Sequence, residues 1–207
     1  MTVVIVDYGM GILSSVQRAL EECGAAAEIA SNPSAMARAS HVVLPGVGAF
    51  GDAMTRLASG GWIGPLRQLA VERVPLLGIC LGMQLLSDYG EEGGGHEGLG
   101  LVPGRVVRLK PTDARERVPH VGWNEVCARR ADPLLDSIPP RTDFYFVHSY
   151  HFSLADDRSA LADTPYCGGF TSVVRAGSVT GTQFHPEKSS RAGLRLLRNF
   201  LASRGNA

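Results

Sequence analysis

The chain has 207 residues, 20 basic and 20 acidic side chains for a formal net charge of zero, and 44% hydrophobic residues. That is enough to bury a sizeable core, and the balance excludes a nucleic-acid footprint or a polybasic membrane patch. The apolar runs are strand-sized, far below the ~20 residues of a membrane span, and the opening MTVVIVDYG has no basic flank or cleavage site, which predicts a cytoplasmic protein.

Thr2–Val6 is an apolar, β-branched run that predicts a first strand, followed by the loop DYGMG. Leu13, Val16, Leu20 and Cys23 recur at three- and four-residue spacing, which predicts a helix over 14–23 stopped by Gly24. Ala26–Ala30 reads as a second strand, SNPSAMARAS as a short capped helix, and His41–Leu44 as a third strand closed by Pro45 and Gly46. Residues 50–57 and 62–73 read as helices, Leu76–Ile79 as a buried strand, and 81–89 as a helix that follows at once. This alternation predicts an α/β fold with a central, mostly parallel sheet flanked by helices. After the glycine-rich loop GEEGGGHEGLG, β segments at 106–109, 123–126, 144–148, 172–175 and 179–184 predict an additional antiparallel portion. A last helix over 189–202 carries Leu194, Leu197 and Leu201 on one face and Arg191, Arg195 and Arg198 away from it. Residues 1–207 are expected to form a single domain.

Cys23, Cys80, Cys127 and Cys167 are widely spaced and form no CxxC pair, which argues against a disulfide framework. His148 and His151 are the only closely spaced pair of potential zinc ligands, so neither a metal nor a cofactor is expected.

Cys80 sits in Gly78-Ile79-Cys80-Leu81-Gly82, at the end of an apolar strand and the start of a helix. A Gly-x-Cys-x-Gly corner of this kind holds a nucleophile out on a strained turn, with the glycines removing side chains where the two elements cross. The helix beginning at Leu81 would point free N–H groups at the sulfur and favour its thiolate. A thiol nucleophile needs a base, and His185 in TQFHPEKS lies at the end of the last strand with Glu187 two residues on. In an extended segment those two side chains share a side, so Glu187 can orient the ring while its other nitrogen faces the thiol. Gly46 and Gly48 in LPGVGAFG allow backbone N–H groups to turn towards an oxyanion, and the N–H of Leu81 is the natural second donor. The same segment fits the dinucleotide pattern G-x-G-x-x-G. Its glycines, however, follow the third strand rather than the first, and Glu72, near the expected acidic spacing, falls in a helical stretch.

PGVGAFG, GICLGMQLL and TQFHPEKS together resemble the signature of the class I glutamine amidotransferases, the cysteine-triad type with a flavodoxin-like fold. VDYGMG, PHVGWNEV and FYFVHSY look like the corresponding motifs in glutaminase subunits of imidazole glycerol phosphate synthases, and the likeness runs in order from Val3 to Phe200. The resemblance implies hydrolysis of glutamine to glutamate and ammonia. The ammonia would pass to a (β/α)8-barrel cyclase subunit that makes imidazole glycerol phosphate and aminoimidazole carboxamide ribotide in histidine biosynthesis. It assigns Cys80, His185 and Glu187 to the triad and Gly46, Val47 and Gly48 to an oxyanion strand. Gln84, Ser149 and Tyr150 fall around the glutamine, and Tyr8, Met10, Trp123, Asn124 and Lys188 near the partner. The family usually reads Asp-Tyr-Gly-x-Gly-Asn near its start. Ile12 replaces that asparagine here, in a loop expected to face the partner.

Two other readings compete. A paralogous glutaminase subunit would supply ammonia for amidation in surface-sugar biosynthesis. A stand-alone cysteine hydrolase or peptidase would share the sheet but lack the PHVGWN and HPEKS segments.

Overall fold

The computed structural model describes residues 1–203. In the first half β1 (Thr2–Val6), α1 (Leu13–Glu22), β2 (Ala26–Ala30), β3 (His41–Leu44), α2 (Phe50–Ser59), α3 (Ile63–Val71), β4 (Leu76–Ile79) and α4 (Leu81–Gln84) follow one another. A 3-10 turn over Pro33–Arg38 joins β2 to β3, and the side chain of Asn32 caps it by accepting from the N–H of Ser34. The second half is nearly all β: β5 (Tyr89–Gly90), β6 (His96–Glu97), β7 (Gly104–Arg108), β8 (His120–Ala128), β9 (Thr142–His148), β10 (Tyr150–Leu154), β11 (Ala160–Thr164), β12 (Phe170–Ala176) and β13 (Val179–Thr182). Helix α5 (Ser190–Ala202) ends the described chain.

The 13 strands form one sheet whose main path runs β2-β1-β3-β4-β13-β12-β10-β7-β5-β6. The pairs from β2 across to β13 are parallel, and from β13 onward the pairing is mainly antiparallel. The hairpin β8–β9 joins through β11, which pairs with both β12 and β8.

Side-chain alternation along β1 explains the layering. Val4 and Val6 face a core with Val42, Leu44, Phe50, Leu57, Trp62 and Leu66, under α2 and α3. Val3 and Ile5 face a second core with Val43, Leu77, Ile79, Leu20, Leu197 and Phe200, under α1 and α5. A strand buried on both faces must be apolar throughout, and β4, reading LLGI, is fully buried.

Three differences from the sequence-based expectation matter. The helix predicted over 81–89 is only α4, a single turn. The carbonyls of Leu85 and Leu86 accept instead from the N–H groups of Leu99, Leu101 and Val102, so the loop beyond β6 takes over where the helix would have continued. Strand β13 stops at Thr182, short of Phe184. The segment YHFSL, outside the strands read from the sequence, is strand β10, paired with β7 across five residues.

Among the described residues no helix is long and apolar enough to cross a membrane.

Candidate active site

Strands β3, β4 and β13 lie side by side and parallel, so their carboxyl ends open at one edge of the sheet. Ligand sites of open parallel sheets occupy that edge, because loops leaving the strands there are free to diverge. Register brings Leu44 opposite Gly78 and Thr182 opposite Ile79, and the N–H of Cys80 donates to the Thr182 carbonyl at 2.7 Å. Three segments far apart in sequence thereby become neighbours: Pro45–Gly48, Cys80–Leu81 and Gln183–Glu187.

Cys80 has φ 54° and ψ −110°, a conformation that side chains other than glycine rarely hold. Its neighbours enforce it. A Cβ on Gly82 would sit 1.8 Å from the Leu44 carbonyl oxygen, and one on Gly78 would sit 2.6 Å from the Gly82 oxygen. Only bare backbone lets the corner press this closely on β3. The N–H of Leu81 opens the following turn and so has no partner within it. Because α4 is one turn long, its summed dipole is small. The thiolate stabilisation expected from a long helix at this corner is correspondingly reduced.

His185 and Glu187 meet through a tight 3-10 turn over Pro186–Lys188, not through an extended strand. His185 Nδ1 lies 2.8 Å from Glu187 Oε1, with both side chains almost fully buried. The backbone is stitched to β9: the N–H of His185 donates to the Tyr145 carbonyl, and Ser189 Oγ donates to the His185 carbonyl while accepting from the Tyr145 N–H. His185 Nε2 is buried without a hydrogen-bond partner. Burial alone would pull this ring below the ordinary histidine range, but the Cys80 and Glu187 side chains outweigh it and push it up to about 10. Cys80 therefore lies close enough to influence the ring, although no hydrogen bond of proper geometry closes between them. Its Sγ is instead 3.8 Å from the Val147 carbonyl and 3.7 Å from Gln183 Nε2. Contacts of this kind commonly tighten only once substrate is bound.

On the opposite wall, Gly46 is wedged between Tyr8 and the corner: a Cβ there would lie 2.5 Å from Tyr8 Oη and 3.0 Å from Leu81 Cβ. Val47 and Gly48 are exposed, and Gly48 has φ +115°, which favours glycine. Tyr8, expected at a partner surface, is instead 6% exposed and donates to the Pro45 carbonyl at 3.0 Å. Burial, and after it the Cys80 sulfur, raises its phenol above the usual tyrosine range. Its ring lies under the Pro45–Gly48 segment, where it supports the backbone from below.

Gln84 is buried, with Nε2 donating to the Tyr150 carbonyl at 2.9 Å and to Gln183 Oε1 at 3.0 Å. Ser149 and Tyr150 lie half-buried beside it. Met10 is half-buried and packs at Gly48. Trp123, 53% exposed, stands edge-on to Tyr145 at 6.1 Å, and Lys188 Nζ lies 5.9 Å from the centroid of the same Tyr145 ring. Asn124 faces inward, to His120.

Two features escaped the sequence reading. Gln183, 0% exposed and touching the sulfur, lies inside TQFHPEKS but looks like an ordinary strand residue. His148 pairs with His120, 28 positions away, not with the nearby His151. Only the β8–β9 register, which sets His120 opposite His148, makes that pair.

The arrangement can perform acyl transfer: a thiol on a strained corner and an oriented imidazole beside it, with the backbone of Leu81 and of Gly46–Gly48 close by. Comparison with known proteins points the same way. Residues 4–203 match the family described as glutamine amidotransferase class-I. The chain is 48% identical to the imidazole glycerol phosphate synthase subunit HisH of Moorella thermoacetica, covering 96% of this chain and 93% of that one. It is 50% identical to the subunit of that name from Symbiobacterium thermophilum, covering 96% and 92%. Among solved structures, PurLQS from Thermotoga maritima matches with a TM-score of 0.77 at 17% identity over 97% of both chains. A crystal structure titled glutamine amidotransferase matches with a TM-score of 0.74 at 21% identity over 96% of both.

Proposed function

The chain belongs to the class I glutamine amidotransferases, and on that premise we propose that it is the glutaminase subunit of an imidazole glycerol phosphate synthase. In this reading it works in the cytoplasm as one domain, in a heterodimer with a (β/α)8-barrel cyclase that consumes the ammonia in histidine biosynthesis. The observation that carries the reading is the meeting of Cys80, in its strained conformation, with the His185–Glu187 pair at the end of the adjacent parallel strand.

The chemistry follows from these positions. Cys80 Sγ, its proton passed to His185 Nε2, attacks the side-chain carboxamide carbon of glutamine. The carbonyl electron pair moves onto oxygen, which the Leu81 N–H and an N–H of the Gly46–Gly48 segment stabilise. His185 Nε2 gives a proton to the departing nitrogen, and ammonia leaves as the thioester forms. The ring then takes a proton from water as the water oxygen attacks the thioester, and the adduct collapses to glutamate while the sulfur takes that proton back from the ring as the thiol. Glu187 holds the ring in the required orientation through Nδ1 and balances its charge. Gln84, Ser149 and Tyr150 line the glutamine side.

Ammonia released without an acceptor escapes to water, so the site gains from being silent until the partner docks. Gly46 is held in place, but the exposed Gly48, at φ +115°, lets the peptide between Val47 and Gly48 turn its N–H towards or away from the oxyanion. One such donor is worth roughly 10²–10³ in kcat. Support for a docking face comes from β8–β9, which presents Val121, Trp123 and Val147 to solvent on one side, with Lys188 over Tyr145 beside them.

The test is steady-state glutaminase turnover of the chain alone and with a saturating barrel partner carrying its nucleotide ligand. Turnover that rises by about 10² or more on docking is expected. Absence of glutamine hydrolysis in both conditions refutes the reading.

A further inference from the structure

The Tyr150 carbonyl oxygen receives two side-chain donors, His148 Nδ1 at 2.8 Å and Gln84 Nε2 at 2.9 Å. A carbonyl can only accept, so the polarity of everything attached to it is fixed. On the histidine side, Nδ1 of His148 carries the hydrogen. Burial draws His148 down to about 3, so the ring is neutral and its Nε2 is a bare acceptor. That nitrogen lies 3.1 Å from His120 Nδ1, which must therefore donate. Burial likewise draws His120 to about 4, leaving its Nε2 bare to accept from Asn124 Nδ2 at 3.3 Å. Asn124 Oδ1 is occupied by the N–H of Glu125, which sets the same amide orientation independently.

On the other side, Gln84 Nε2 carries two hydrogens and directs the second to Gln183 Oε1. Gln183 must then present its own NH2 to Cys80 Sγ at 3.7 Å. The donors of both arms converge on the Tyr150 carbonyl, and from Gln84 outward the second arm donates in one direction through Gln183 to the sulfur; none of the members is freely exposed.

We infer that His120 and His148 are positioning residues for the nucleophile: they fix the Tyr150 carbonyl, which orients Gln84 and Gln183 so that the Gln183 amide donates to the Cys80 sulfur. An N–H aimed at sulfur stabilises the anion more than the thiol, so the relay favours the reactive form. The chain of bonds begins at Asn124, next to exposed Trp123 on β8, and so ties that strand to the sulfur. The inference rests on Cys80 being the nucleophile.

The test is the rate of Cys80 alkylation by iodoacetamide as a function of pH, followed by mass spectrometry on the purified chain, with thermal unfolding as the check on folding. Gln183→Met, which fills the space without a donor, is expected to lower the rate at neutral pH by about ten- to hundredfold. His148→Phe should lower it by a comparable factor. His148→Asn, which keeps a donor near the Nδ1 position, should recover most of the loss. The double variant of Gln183→Met and His148→Phe should be no slower than the worse single one, because both break one chain. Multiplying effects, or an unchanged alkylation profile in Gln183→Met, overturns the relay. If His148→Phe does not fold, the Gln183→Met and His148→Asn profiles decide the matter alone. Retained glutaminase activity in Cys80→Ser would instead overturn the nucleophile assignment, a distinct result.

Discussion

His185 Nδ1 and Glu187 Oε1 are 2.8 Å apart inside the protein, and the turn that joins them leaves His185 Nε2 with no partner of its own. One ring nitrogen is thus committed and the other held in reserve beside the thiol. If Glu187 acts only by orienting and charge-balancing the ring, Glu187→Gln lowers kcat by about 10² or more and moves KM little. Steady-state kinetics with the partner present check this. A change confined to KM would place Glu187 in glutamine binding instead.

The backbone at Cys80 predicts a separation of activity from stability. Holding a non-glycine residue at φ 54° costs about 1–3 kcal/mol, which glycine relieves. Cys80→Gly should therefore abolish hydrolysis yet unfold at a temperature no lower than the parent. A large drop in Tm would mean that the corner is not strained.

The histidines predict how stability varies with pH. His120 and His148 are pulled down by burial, to about 4 and about 3, from an ordinary value of 6.5. Glu116 opposes the shift at His120. The Tyr150 carbonyl opposes it at His148, while His120, His151 and His185 add to it. The unfolded chain then binds more protons than the folded one, so their contribution is present above pH 6.5 and is lost as pH falls towards those values. His185 is the reverse. Burial lowers it, Cys80 and Glu187 outweigh burial, and the ring reaches about 10. Its contribution is full below pH 6.5 and is lost as pH rises through about 10. Thermal unfolding across pH should show both limbs, with His148→Phe flattening the acid one and Glu187→Gln the alkaline one.

Trp123 and Tyr145 face each other across the β8–β9 pair, with Lys188 beside Tyr145. A large exposed aromatic in such a cluster is a typical interface anchor. Trp123→Ala is expected to weaken binding of the barrel partner by about tenfold or more, and Lys188→Ala to lower partner-stimulated turnover. Titration calorimetry and coupled assays read the two effects, and wild-type values in both variants would remove the docking face.

Ile12 occupies the N-cap of α1, 39% exposed and with no side-chain cap. The departure from asparagine thus falls on a helix terminus as well as on a loop expected to face the partner. Ile12→Asn should add about 1 kcal/mol, a rise of roughly 2–4 °C in Tm. An unchanged or lower Tm would show that the isoleucine compensates through packing.

Local pattern was enough to read the parallel half of the fold, because strands buried on both faces must be apolar and the helices between them must carry one apolar stripe. β1, β3 and β4 follow from that constraint, whereas β2, a partly exposed edge strand, tolerates Glu28. Cys80, His185 and Glu187 were legible for the same reason: each sits where a strand ends, and strand ends can be recognised locally. What tertiary structure alone decided depends on contacts between distant segments. The Leu99–Val102 loop truncated α4 by taking the carbonyls of Leu85 and Leu86, a competition no local propensity encodes. Burial moved Tyr8 from an expected interface to a support beneath Gly46. The β8–β9 register made His120 and His148 a pair, and the meeting of Gln84 with Gln183 turned a strand-end glutamine towards the sulfur. Polar side chains in a low-dielectric interior must find partners, and sequence spacing does not reveal which ones the folded backbone brings within reach.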